Sequence, residues 1–281
     1  MTDAPQNETS QEALWNGPAG QGWVEARGLL DALFRPFEER LVEAAVAAAA
    51  RSLLDVGCGT GGVSLALARA LGASGRVLGV DISRPMIAAA EARAAAAGVE
   101  TVGFLRADAG THAFPPGGFD MILSRFGVMF FEEPARAFAN LRRAAAAEAR
   151  LLFQAWRRPE ETPFMTAAER AAAPLLPNLA PRPADGPGQF AFADAERVRG
   201  ILEEGGWGGI EILPLDVPCR LPAAALDRYV GRLGPVGRAL RDLDEATRAA
   251  VTERVRAALE PYLVEGEARF TAACWTVAAR A

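Results

Sequence analysis

Between Leu53 and Gly62 the chain reads Leu-Leu-Asp-Val-Gly-Cys-Gly-Thr-Gly-Gly, an apolar run that breaks into four glycines within six residues. Val63, Leu67 and Leu71 then repeat at i, i+4 and i+8 before Gly72, which predicts an amphipathic helix with a glycine stop. A glycine cluster between a strand and a helix lets the backbone turn tightly and lets a ligand approach with no Cβ in the way. The segment is a nucleotide-type loop. Its spacing alone is ambiguous, because Gly57, Gly59 and Gly62 also satisfy the G-x-G-x-x-G dinucleotide pattern.

The unit recurs. Short apolar runs alternate with alanine-rich segments from Arg51 to Trp156, the pattern of βα units around a parallel sheet. Strands are expected at Ser52 to Val56, Arg76 to Val80, Val102 to Arg106, Phe119 to Leu123 and Arg150 to Trp156. Ser83 is placed to cap a helix that ends at Gly98, and Pro134 to Ala147 reads as another, with Ala137, Leu141 and Ala145 on one stripe.

Beyond Trp156 the pattern changes. A proline-rich insertion is expected over 159–192 with one helix near Ala167, then an amphipathic helix from Ala193 to Gly205. Ile210 to Val217 and Ala268 to Ala279 are strand candidates separated by a helical excursion over 218–266. Excursions of this kind form lids. An N-terminal arm over 1–50, carrying Trp15 and Trp23 before a helix from Leu29 to Ala50, is expected as another cover. The expected organisation is therefore 1–50 as arm and lid, 51–158 as a ligand-binding α/β core, and 159–281 as the rest of the sheet with its insertions.

Composition narrows the function classes. The 281 residues hold 30 Arg and no Lys against 35 Asp+Glu, a formal charge of −5. With no arginine run longer than two, the chain lacks the footprint a phosphate backbone requires, so nucleic acid is not expected as a partner. No apolar run approaches the roughly 20 residues a membrane-spanning helix needs. Met1 to Gln11 are polar and unlike a secretory signal, which makes the cytoplasm the expected compartment. Cys58, Cys219 and Cys274 lie far apart, and a single histidine, His112, gives no metal-ligand spacing.

Three acids refine the loop. Asp81 closes the second strand, where a carboxylate accepts hydrogen bonds from both hydroxyls of a ribose. Asp108, just after the third strand, suits an adenine amino group. Asp55, two residues before the first glycine, gives nothing to a pyrophosphate but would hold an ammonium group.

These residues resemble the class I S-adenosylmethionine (SAM)-dependent methyltransferases. Asp55-x-Gly57-x-Gly59-x-Gly61 is similar to that family's first motif, Val80-Asp81 to its second, and Ala107-Asp108-Ala109 to its third. Phe119 to Ser124 resembles the fourth-strand segment that opens on the substrate pocket. The arm Trp15 to Gly20 and the run Ser124 to Phe130 resemble the small-molecule methyltransferases related to the quinone-methylating group. One departure stands out: where members commonly carry Pro-Gly-Gly before the fifth strand, this chain has Ala146-Ala147-Glu148-Ala149.

The resemblance implies a Rossmann-like, doubly wound, mostly parallel sheet of seven strands with helical lid insertions. It implies SAM as cofactor, bound by Asp55, Gly57, Cys58, Gly59, Gly61, Asp81, Ile82, Met86, Asp108, Ala109 and Ser124. It implies methyl transfer to a nitrogen, oxygen or activated carbon of a small apolar or aromatic acceptor. Trp15, Trp23, Arg125, Phe126, Met129 and Tyr229 are the expected acceptor contacts, with Leu233 and Leu240 beside Tyr229. His112 as a base and Arg125 as an anion clamp are the expected catalytic residues, although a lone histidine can equally be structural and an arginine can simply pair with Glu132 or Glu133. No metal is expected. A homodimer stays open as the assembly, as do two other readings: a nicotinamide-dependent oxidoreductase sharing the glycine loop, and a SAM-binding regulatory protein without turnover.

Overall fold

The computed structural model describes residues 10–179 and 186–281. Residues 1–9 of the expected arm and 180–185 of the expected insertion lie outside the described residues. The chain opens with three helices, α1 (Gln11–Asn16), α2 (Pro18–Glu25) and α3 (Arg27–Ala47). The alternating part follows as β1 (Ser52–Val56), α4 (Gly62–Leu71), β2 (Arg76–Asp81), α5 (Arg84–Ala97), β3 (Val102–Arg106), β4 (Phe119–Arg125), α6 (Pro134–Ala144) and β5 (Ala145–Trp156). The last part holds α7 (Phe164–Ala172), α8 (Ala195–Glu204), β6 (Gly208–Pro222), α9 (Leu226–Arg232), α10 (Gly234–Ala239), α11 (Glu245–Leu259), β7 (Leu263–Val264) and β8 (Glu267–Arg280).

All strands join one sheet in the order β3-β2-β1-β4-β5-β8-β6, with β7 paired to β8 at one end. The five strands from β1 to β5 run parallel, while β8 lies antiparallel to both β5 and β6. Seven strands lie on that path, as expected, and an eighth stands off it. The extra strand is the two-residue β7, which turns back along β8 through Glu265 and Gly266, both in the left-handed region.

Helices cover both faces of the sheet, and strand alternation decides which side chains meet which cover. Leu53, with Met121 and Leu123 of β4, packs with Leu41, Val63 and Leu67 on one face. Leu54, Val56 and Ile122 join the larger cluster, which runs from Ala26 to Ala279. That cluster draws on α3, the sheet and the late helices, so a continuous core ties the arm and the C-terminal part to the sheet. Helix α3 earns its place through Leu30, Leu33, Phe34, Phe37 and Leu41, an inward stripe at helical spacing.

The helix expected to run to Ala147 ends at Ala144, and β5 begins at once, which corrects the boundary. Alanine favours helix locally, but pairing of Ala145 with Phe119 and burial of Ala145 and Ala149 against the sheet override that preference. The register against β4 slips between Phe119 and Met121, and the slack is taken up at Glu148, an exposed residue held at φ 64°. The departure from Pro-Gly-Gly is thus built as a bulge with a left-handed glutamate.

That conformation costs a residue with a Cβ about 1–2 kcal/mol, of which glycine's larger chain entropy would give back about 0.5–1. Glu148→Gly is therefore expected to stabilise the protein by about 0.5–1 kcal/mol in urea denaturation, and Glu148→Val to destabilise it.

Candidate active site

The order of strands reverses between β1 and β4, and the crevice beyond the carboxyl ends of strands at such a point is where open α/β sheets hold ligands. A cleft with about 990 Å³ of space, open to solvent at its mouth, lies there. Its floor is made by Gly57, Cys58, Gly59 and Thr60 of the glycine loop and by Gly127 after β4. A Cβ on Gly57 would stand 2.7 Å from the Gly127 Cα, and one on Gly127 would stand 2.6 Å from the Val56 carbonyl oxygen. The floor is therefore two backbones in direct contact.

Backbone hydrogen bonds set the loop's height. The amides of Gly57 and Cys58 both donate to the Val80 carbonyl, at 2.8 and 3.0 Å. The Gly59 amide donates to Asp81 Oδ2 at 2.9 Å, and the Ser83 amide to Asp81 Oδ1 at 2.8 Å. Each oxygen keeps a second lone pair for a ligand, and Asp81 lines the cleft. Burial raises its carboxyl above the usual range, against the amides of Ser83 and Gly59, which favour the charged form. Ser83 caps α5 by accepting from the Met86 amide, so Asp81 is not needed as the cap.

The wall opposite is aromatic. Phe126 sits at φ 64° and is stacked on Trp156 with ring centres 4.9 Å apart, with Phe34 and Phe37 edge-on at 5.4 and 4.9 Å. The mouth is crossed by Trp15, edge-on to Trp23 at 5.8 Å and to Phe130 at 5.1 Å. The arm that carries Trp15 is tied down at several points. Ser83 Oγ donates to the Trp15 carbonyl at 2.7 Å, Asn16 Nδ2 donates to the Ile82 carbonyl, and the Arg84 amide donates to Asn16 Oδ1.

Of the expected cofactor and acceptor residues, Gly57, Cys58, Gly59, Asp81, Ile82, Met86, Ala109, Trp15, Trp23, Arg125 and Phe126 line this cleft. Asp55, Gly61, Asp108, Ser124, Met129 and Tyr229 do not. Asp55 is 1% exposed and points beneath the loop, where its Oδ2 accepts from Ser64 Oγ at 2.5 Å. Ser124 Oγ is spent on the Val56 carbonyl at 2.7 Å and on the Gly127 amide at 3.1 Å. Gly61 faces α5 and β3, and a Cβ there would meet Ala90 and Phe104 at 2.9 Å. Asp108 is exposed and closes its own turn onto the Gly110 amide and the Thr111 hydroxyl.

His112 packs its ring against Phe114, 4.7 Å between centres, and does not line the cleft. Met129 is buried, with its sulfur accepting from the Trp156 amide at 3.4 Å. Tyr229 reaches Met165 Sδ and packs near Phe164, and neither Leu233 nor Leu240 lines the cleft. The late helices instead clamp the arm, through Arg232 and Arg228 on Glu25.

Sequence reasoning missed the inner face of α3. Leu30, Asp31 and Phe34 line the cleft, and Gln11, Thr60, Phe130 and Phe131 complete it. The helical stripe from Leu30 to Leu41 signals a buried face but not that it borders the cleft. Asp31 pairs with Arg93 at 2.8 Å, and Arg93 also donates to the Thr60 carbonyl at 2.7 Å, so the helix, the loop and α5 share one guanidinium. The expected alternative partners of Arg125 are also replaced: Glu38 lies 3.9 Å from its Nη1, while Glu133 pairs with Arg136.

Comparison with known proteins agrees with this geometry. Residues 53–148 match the family model described as a methyltransferase domain. This segment is a methyltransferase domain. Over 129 residues the chain is 38% identical to the nocamycin O-methyltransferase of Saccharothrix syringae, covering 44% of each protein. Over 117 residues it is 39% identical to the demethylmenaquinone methyltransferase of Thermus thermophilus, covering 41% of this chain and 52% of that one. The match thus spans about half the length of these relatives. The solved structure of the YcgJ protein from Bacillus subtilis overlays with a TM-score of 0.57 at 17% identity, covering 86% of this chain and 97% of that one. The likeness in fold extends well past the domain segment.

Beneath the methyltransferase domain's loop, burial pushes the Asp55 carboxyl up to about 6, outweighing the Ser64 hydrogen bond and the Arg125 charge. Its unfolded value is about 3.9. Between those values the folded chain holds a proton that the unfolded chain has lost, so this group's stabilising contribution is whole at low pH and is lost as pH rises through about 6. The loss is on the order of 1–3 kcal/mol. Asp55→Asn, which keeps an acceptor for Ser64, is expected to lose less stability between pH 4 and pH 7 than the parent does, as read by denaturant titration at a series of pH values.

Proposed function

We propose that the chain is a SAM-dependent methyltransferase that transfers the methyl group to a nitrogen, oxygen or activated carbon of a small aromatic or apolar molecule. The observation that carries the reading is the cleft of the methyltransferase domain, where backbone alone forms the floor and Asp81 stands at the end of β2 with lone pairs to spare. The residues fit a nucleoside with an amino-acid tail. Asp81 takes the ribose hydroxyls, Ile82 and Met86 flank the base, and the glycine floor leaves the tail a surface of bare backbone. Asp108, at the rim, would need to turn from its own loop to reach an adenine amino group, and Asp55 supports the loop from below.

SAM, when bound, supplies an electrophilic methyl on sulfur, so the chain's task is to align an acceptor and exclude water. Trp15, Trp23, Phe126 and Phe130 supply flat apolar walls on the acceptor side of the cleft. Among the described residues lining the cleft none is a histidine, which suits an acceptor already nucleophilic near neutral pH. An O-methyltransferase and a demethylmenaquinone methyltransferase among the relatives support a small organic acceptor.

Calorimetry is expected to show binding of SAM and of S-adenosylhomocysteine, with NAD far weaker; a preference for NAD would replace this reading with an oxidoreductase. Two charge-assisted hydrogen bonds of roughly 1.5–3 kcal/mol each at most are at stake at Asp81, so Asp81→Ala should weaken cofactor binding at least tenfold. Deleting residues 1–23 removes Trp15 and Trp23 from the mouth, and turnover with an identified acceptor is expected to fall further than cofactor affinity. Unchanged turnover would deny the arm any role as a cover.

A further inference from the structure

Arg125 ends β4 with its side chain turned back into the inner end of the cleft, only 13% exposed. Its guanidinium lies 5.8 Å from the centre of the Phe34 ring, and its Nη1 is buried with no hydrogen-bond acceptor. The charged groups around it are all accounted for. Glu38 Oε2 stands at 3.9 Å, beyond hydrogen-bond reach. Asp31 is taken by Arg93, and Asp55 by Ser64. Burial raises the Glu38 carboxyl and lowers the Arg125 guanidinium, while Glu38, Asp31 and Asp55 favour the charged arginine and Arg93 opposes it.

Buried donors in folded proteins find acceptors almost without exception, and a planar guanidinium with an open edge matches the two oxygens of a carboxylate. Phe34 and Phe126 line the cleft beside it, and the one carboxylate in the lining there, Asp31, is held by Arg93. We propose that Nη1 of Arg125 is the carboxylate-binding point of the cleft, filled either by the amino-acid end of the cofactor or by a carboxylate on the methyl acceptor. The proposal rests on the methyltransferase reading for the identity of those two sources, and not for the existence of an anion site.

The test uses the full chain, as parent, Arg125→Gln and Arg125→Lys, in calorimetric titrations. The first pair of probes is S-adenosylhomocysteine and S-adenosyl-3-thiopropylamine, which lacks only the carboxylate. The second pair is 1-naphthoate and its neutral isostere 1-naphthamide, titrated into the protein with and without S-adenosylhomocysteine. If the cofactor is the source, the parent prefers S-adenosylhomocysteine at least tenfold over the thiopropylamine, and Arg125→Gln erases the preference without weakening the thiopropylamine. If the acceptor is the source, cofactor affinity is unchanged, while naphthoate binds over naphthamide in the parent and loses that preference in Arg125→Gln. Arg125→Lys keeps the charge without the fork and should fall between the two, which covers a Gln variant that does not fold. A parent that binds neither adenosyl probe ends the methyltransferase reading, and naphthoate on the free protein then decides the anion site alone. Equal preferences in parent and both variants, for both probe pairs, overturn the proposal.

Discussion

The contact between the backbones of Gly57 and Gly127 sets the geometry of everything around the cleft. One loop leaves β1 and the other leaves β4, and with a Cβ on either they could not pass at their present separation. Ser124 stitches them together, donating to the Val56 carbonyl while accepting from the Gly127 amide. Phe126, between the two, must then adopt a left-handed backbone, a strain of about 1–3 kcal/mol that persists only where the surroundings over-determine it. Trp156, Phe34 and Phe37 do so by packing around its ring. Strain, stacking and the glycine floor are consequences of one close approach.

The same crowding explains the electrostatics. Three ionisable groups, Asp55, Asp81 and Arg125, are driven inward beneath or beside the loop, and burial shifts each toward its neutral form. They are satisfied to different degrees. Asp55 has a hydroxyl, Asp81 has two backbone amides, and Arg125 has an aromatic ring and a distant carboxylate. Orientation and not the number of partners separates them: Asp55 faces away from the cleft onto Ser64, whereas Asp81 and Arg125 line it.

Much of this was legible in the sequence because strong local signals agreed with the fold. β1 and β3 begin and end where apolar runs and flanking glycines or charges predicted, and Ser83 and Gly98 bound α5 as their types suggest. The direction in which Asp55 points was also readable, since strand alternation puts it on the face of Leu53, toward α4 and Ser64. A one-dimensional motif ranks residues by their distance from the glycines and overlooks that parity. The start of β5 was not readable, because four alanines carry no preference strong enough to resist pairing with β4. The contribution of α3 was hidden for a different reason. Its stripe announces a buried face without saying what that face covers, and only the fold brings Asp31, Phe34 and Glu38 to the end of β4.

Two parts of the chain far apart in sequence hold the cleft's mouth. The arm is fastened inward to β2 and α5 by Trp15, Asn16 and Ser83, and outward to the late helices by Glu25 with Arg228 and Arg232. The helical excursion between β6 and β8 therefore acts on the cleft through the arm rather than by lining it, which is why Tyr229 packs on Met165 and Phe164 instead of facing a ligand. Two of the inward bonds, those of the Trp15 carbonyl with Ser83 and of Asn16 with the Ile82 carbonyl, are half-buried, while the outward contacts of Glu25, an ion pair with Arg232 and a carbonyl accepting from Arg228, are exposed. The arm is thus bound more firmly to the part of the cleft assigned to the nucleoside than to the excursion behind it. The excursion meets the arm at Glu25, on the side away from the glycine floor that Trp15 and Trp23 face across the cleft.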